Sequence, residues 1–82
     1  MISEKIKEAE TLARIAEPNA AFTTAQRSKI YTLAEHFNAD PSKLSIFYGG
    51  MGLPDGWVSL GIPLGGDRWY AFGIAPNGDS HS

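Results

Sequence analysis

The chain of 82 residues contains no cysteine. That absence excludes disulfides, thiolate-bound zinc and cysteine nucleophiles together. Histidine is nearly missing as well. His36 and His81 are the only two, and neither has a ligand-type partner at metal spacing, so no metal and no cofactor is expected. Charge of one sign is scarce too: nine acidic and seven basic residues give a formal charge of −2, and like charges do not cluster. This balance opposes general attraction to a phosphate backbone. Every apolar run falls far short of a membrane span. Glu and Lys alternate at the start of the chain, where a secretory signal would need an apolar stretch. The expectation is a cytoplasmic protein without membrane contact.

Glycine is absent from the first 48 residues, and all nine glycines lie between Gly49 and Gly78. The chain therefore reads as one domain, 1–82, with a helical half (1–40) and a Gly-rich β half (43–82). A domain this small buries only about two-thirds of the surface its unfolded chain exposes. Its stability should be marginal unless a ligand or a second copy adds to it.

In the helical half, Ile2, Ile6, Ala9, Ala13 and Ala16 recur at helical spacing, with Leu12 and Ile15 widening the stripe. Ser3 is the expected N-cap, Glu4 suits the positive end of the helix dipole, and Pro18 ends the run. A second helix is expected over 24–37. Thr23 and Gln26 have capping-box spacing, Ile30, Leu33, Ala34 and Phe37 form one face, and Asn38 suits the left-handed position just beyond.

The β half opens with Leu44–Tyr48, a β-branched and aromatic segment that stops at Gly49-Gly50. Residues 57–64 and 68–75 flank Gly65-Gly66-Asp67, a hairpin signal, and Ser80-His81-Ser82 offers a short last strand. Pro63 lacks an amide donor and should lie at an edge or a bulge. A two-residue turn at Gly65-Gly66 pairs Ile62 with Trp69 and Leu60 with Ala71. Val58, Leu60, Ile62 and Trp69 then share one face, and Trp57, Tyr70, Phe72 and Ile74 the other. In that register Gly61 lies opposite Tyr70, whose ring would compensate for the missing side chain.

The expected fold is therefore α+β, with two N-terminal helices packed on one face of a three- to four-stranded antiparallel sheet. Two helices cover one face, so an apolar second face requires cover of its own. That cover is either internal, from the 49–56 loop with Met51 and Leu53, or external, from a second copy, a protein partner or a small ligand. The candidate binding residues are Trp57, Arg68, Tyr70 and Phe72, with Tyr48 and Met51 at the margin. Trp, Tyr and Arg are the residue types that most often anchor interfaces. No candidate catalytic residue emerges: Asp40, Asp55, Asp67 and Asp79 all fall in turns, where Asp serves the backbone. Gly49-Gly50-Met51-Gly52 matches neither the P-loop nor the dinucleotide fingerprint, although Gly-rich amides beside Trp57, Tyr70 and Arg68 would suit a nucleotide. The function expected is a non-enzymatic binding module. Compact proteins of this composition include accessory factors such as phage-type inhibitors.

A second reading rests on residues 33–47, LAEHFNADPSKLSIF. This segment resembles the helix-turn-helix of bacterial regulators, with Leu33 and Ala34 inside the first helix, Asn38 at the turn, and Leu44 and Phe47 on the buried side of a recognition helix. The resemblance implies a winged helix-turn-helix fold and DNA contact through Ser42, Lys43 and Ser45. The opposing local signal is Ser45-Ile46-Phe47-Tyr48, whose residue types favour a strand. A stacking surface for single-stranded nucleic acid would need basic residues tracking the backbone, and Arg68 stands nearly alone.

Overall fold

The computed structural model describes residues 1–50 and 52–82. Met51, one of the candidate binding residues, lies outside the described residues. Two helices, α1 (Ile2–Ala16) and α2 (Thr24–His36), precede a 3-10 turn at Pro41–Lys43 and four strands. The strands are β1 (Ser45–Tyr48), β2 (Val58–Gly65), β3 (Arg68–Ile74) and β4 (Ser80–His81). They form one antiparallel sheet in the order β1-β2-β3-β4. The fold is α+β, with both helices N-terminal to the sheet they pack against.

The start of α2 is built as its sequence dictates. The Thr23 hydroxyl accepts from the Gln26 amide, and the Gln26 side chain accepts from the Thr23 amide. Gln26 then donates to the carbonyls of Gly56 and Ile74, which pins the helix to the far end of β3. The first helix differs from expectation at its start. Its N-cap is Met1 without a side-chain bond, so Ser3 does not cap it and lies within the first turn. Leu12 and Ile15 do not widen the buried stripe either; both are exposed. Glu10 takes an inner position instead, where its carboxylate accepts from the Phe22 amide at 2.8 Å and from Arg27 at 3.0 Å. Burial alone would raise its pKa, but these two donors and the Arg27 and Arg14 charges outweigh it and leave the pKa below the ordinary value.

Residues 41–48 settle the helix-turn-helix segment against a recognition helix. Asn38 does take the left-handed conformation, at φ 51°. The Asp40 side chain then caps a single 3-10 turn, and Ser45–Tyr48 pairs with β2 from Ser45↔Gly61 to Tyr48↔Val58. Ser42, Lys43 and Ser45 therefore share no helix face, and the hairpin expected as a wing forms the middle of the sheet. The β-branched and aromatic residues of 45–48 gain a full ladder from β2, which a one-turn helix cannot match.

The hairpin register departs from expectation by one residue, with large consequences. The turn falls at Gly66-Asp67, between Gly65 and Arg68, with Gly66 at φ 59° in the first central position, as a type II′ hairpin favours. Leu64 is then a bulge, because Pro63 pairs with Trp69 while Gly65 pairs with Arg68. Moving the turn alone would have kept the expected faces. The bulge inverts them, since a one-residue slip sends every side chain to the opposite side. Ile62 faces Tyr70, Leu60 faces Phe72 and Val58 faces Ile74. Tyr70, Phe72 and Ile74 thus join the helix-covered face, and Trp69 leaves it. Pro63 is tolerated in a central strand because β1 ends at Ser45, opposite Gly61, and so does not reach it.

The inner face carries the core. Val58, Leu60, Ile62 and Ile74 are essentially inaccessible and pack with Ile6, Ala9, Phe22, Ile30, Ala34, Leu44 and Ile46. No helix among the described residues is long and apolar enough to cross a membrane.

Candidate functional site

The outer face of the sheet is made by the alternate residues of the same strands. Its floor is small: Ser59 and Gly61 from β2, Ala71 and Gly73 from β3. Rings rise around this floor. Phe47 comes from β1, Trp69 from β3, and Trp57 from the residue preceding β2. The Trp57 indole stacks on the His81 imidazole of β4, with centroids 5.6 Å apart and planes 28° apart.

The glycines of the floor set where the rings lie. A Cβ on Gly61 would sit 3.3 Å from Cε3 of Trp69, and one on Gly73 would sit 3.3 Å from Cε3 of Trp57. Each indole therefore rests over a cross-strand glycine. The compensation expected of Tyr70 over Gly61 is real, but Trp69 provides it. Leu53 adds the loop's share: its Cδ2 would lie 2.9 Å from a Cβ on Gly73. The loop is tied down by the Gly49 amide, which donates to the Trp57 carbonyl at 2.6 Å, and by the Ser59 hydroxyl, which donates to the Gly49 carbonyl at 2.6 Å. Gly50, at φ 138°, has no room for a side chain against that same hydroxyl. Internal cover thus reaches the Trp57 and Gly73 end of the face. The other end stays open, with Phe47 59% and Trp69 53% exposed.

What remains is a trough of about 440 Å³ between Leu53, Trp57 and His81 at one end and Phe47 and Gly61 at the other. Among the described residues no Asp, Glu, Lys or Arg side chain lines it. It offers ring faces, indole edges, the His81 imidazole and small polar groups, which suits an apolar or flat partner. The two groups with shifted pKa lie elsewhere. Glu10 lies between the two helices, and the Asp40 pKa is lowered by bonds from the Ser42 side chain and amide. Among the described residues no three His, Asp or Glu side chains gather as a metal site.

The candidate residues are not brought together. Trp57 is on the outer face. Tyr70 and Phe72 are on the inner face, where they form an aromatic cluster with Phe37 at the end of α2, at centroid distances of 4.9 and 6.0 Å from Phe37. Phe72 packs against the core and Tyr70 remains 42% exposed. Tyr48 also faces inward, 5.8 Å from Phe22. Arg68 stands exposed at the hairpin tip, paired with Gly65 in the ladder and absent from the trough. The bulge at Leu64 is the physical reason for this separation. Phe47, Trp69 and His81 belong to the outer face and were not among the candidates. For Phe47 the signal was available, because Ile46 and Tyr48 flank it with the opposite parity in a strand of period two. For Trp69 it was not, because its face depends on the bulge. No family model matches the chain, and no curated protein or solved structure shows significant similarity to it.

Proposed function

We propose that this protein is a non-enzymatic binding module that takes an apolar segment of a protein partner on the outer face of its sheet. The observation that carries this reading is the exposure of Phe47 and Trp69, each more than half open on the face that neither helix covers. Large aromatic residues flanking a small-residue floor supply contact area at low entropic cost, the usual composition of an interface hot spot. An apolar segment is favoured over a nucleotide, since Arg68, the cation on which a phosphate would depend, is not among the described residues lining the trough. A second copy of the chain is the competing occupant.

The test compares host proteins retained by the wild type and by a Phe47→Ser/Trp69→Ala double variant, followed by reconstitution from purified components. A partner held with micromolar or tighter affinity and lost at least tenfold by the variant is expected. Equal retention by both proteins overturns the reading. Sedimentation of the purified chain as a dimer that the double variant dissociates assigns the face to self-association instead.

A further inference from the structure

The two helices cover different strands, α1 lying on β1 and α2 on β2, and a cleft of about 290 Å³ runs between them. Ser3, Lys7 and Glu10 follow one another along one face of α1, with Ile6 beside them. Arg27 and Tyr31, one turn apart on α2, form the opposite wall. None of these six residues lines the outer trough.

Glu10 is the unusual member of this set. Its side chain is only 9% exposed, yet every bond it makes falls on one oxygen. Oε2 accepts from the Phe22 amide at 2.8 Å and from Arg27 at 3.0 Å, with Arg14 at 3.9 Å. An ionised carboxylate has acceptor sites on both oxygens, but Oε1 accepts from no protein group among the described residues. Nor is Oε1 sealed away, since no side-chain oxygen or nitrogen among the described residues is both fully buried and unpartnered. Oε1 therefore opens on the cleft that Glu10 lines. Fastening α1 to α2 uses one half of this carboxylate and leaves the other half for a hydrogen-bond donor.

We propose that the cleft between α1 and α2 binds a small 2-hydroxy monocarboxylate with an aliphatic body, whose hydroxyl donates to Glu10 Oε1 and whose carboxylate accepts from Lys7 and Arg27. The surrounding charges select this chemistry. Two guanidinium groups already balance Glu10, so a cationic donor brought to Oε1 would meet both of them, and a neutral hydroxyl meets no such cost. Arg27 gives one N–H to Glu10, and its remaining N–H groups and the Lys7 ammonium bond to no protein acceptor among the described residues. Such cationic donors hold a carboxylate well, whereas a dianionic phosphate would set its second charge against Glu10. Because Arg27 and Glu10 are in contact, the ligand's hydroxyl and carboxylate must sit on adjacent carbons. The Tyr31 ring, 42% exposed, supplies the apolar wall for the rest of the molecule. The volume lies at the small end for ligand pockets, which limits the occupant to a compact molecule.

The probes are three acids with one carbon skeleton: 2-hydroxy-4-methylpentanoate, 4-methylpentanoate, which lacks the hydroxyl, and leucine, which carries an ammonium in its place. Titrated into the isotope-labelled chain, the hydroxy acid should shift the amide resonances of residues 3–10 and 27–31 and saturate below about 10 mM. The other two should bind at least about tenfold more weakly, the worth of one hydrogen bond to a charged acceptor. Lys7→Glu, an exposed substitution whose folding is checked by circular dichroism, should weaken the hydroxy acid by at least about tenfold. Should that variant fail to fold, Lys7→Gln takes its place. Four outcomes overturn the proposal: no saturable shift with the hydroxy acid, binding of either analogue within threefold of it, shifts at Trp57 and His81 in place of the helices, or full affinity in the Lys7 variant.

Discussion

The two faces of this sheet are written into the same three strands, on alternate residues, and they have opposite fates. Val58, Leu60, Ile62 and Ile74 are sealed under the helices, whereas Phe47 and Trp69 stand more than half exposed on the other side. Both sets are apolar, so composition does not distinguish them. Position does: cover is supplied by α1 against β1 and by α2 against β2, on one side only. An apolar side chain here stabilises the fold or remains available for contact according to the parity of its position. The sharpest way to break the comparison is to truncate one residue on each face. Leu60→Ala removes a side chain that is 1% exposed and leaves a cavity, which costs about 2–5 kcal/mol, a large part of the stability of so small a domain. Trp69→Ala, for all its greater size, should shift the urea midpoint by the equivalent of less than about 1 kcal/mol, because its ring is already half in water. Comparable losses at both positions would show that the outer face is structural.

Between the helices, the one buried charged side chain among the described residues is Glu10, and it marks how the cover is fastened. Its carboxylate joins α1 to the Phe22 amide and to Arg27 on α2. Its pKa in the folded chain lies below the unfolded value of about 4.5, so the stabilisation is complete above that pH and is lost as pH falls through the folded pKa. Glu10→Gln should cost about 1–2 kcal/mol at neutral pH, a figure held down by the half-exposed guanidinium groups of Arg14 and Arg27. Denaturation midpoints of the two proteins, followed downward from pH 7, should begin to converge once the pH falls below 4.5. A constant gap across that range would mean that the carboxylate's charge contributes nothing.

Much of this fold was legible before any coordinates, and what was missed has one character. The capping box of Thr23 and Gln26, the left-handed Asn38 and the strand residues of 45–48 are local signals, and each appears where the sequence places it. The faces of Trp69, Tyr70 and Phe72 are not local. They depend on whether one residue near the hairpin is left unpaired, and that choice is decided by which register packs Phe72 and Ile74 against helices far away in the chain. Glu10 was unreadable for the same reason, since its partners lie 12 and 17 residues further on. The candidate site inherited the error: Trp57 stayed on the outer face, while Tyr70 and Phe72 crossed to the helix-covered side.

The parity of the hairpin can itself be sharpened with the mildest change of all. Leu64 is the residue that has no partner, since Gly65 faces Arg68 and Pro63 faces Trp69. Deleting it joins Pro63 to Gly65 and makes those two pairs successive, without moving any side chain of β3 to the other face. The turn at Gly66-Asp67 is untouched, and Leu64 is 43% exposed, so little burial is lost. The deletion should therefore cost less than about 1 kcal/mol, a small effect for removing a whole residue from a central strand. Quenching of tryptophan fluorescence by acrylamide should remain as efficient as in the wild type, because Trp69 stays on the open side. Loss of cooperative unfolding, or a blue-shifted emission with protected indoles, would mean that the extra residue is needed to hold Tyr70 and Phe72 inward, and that the parity of the strand is set by the turn instead.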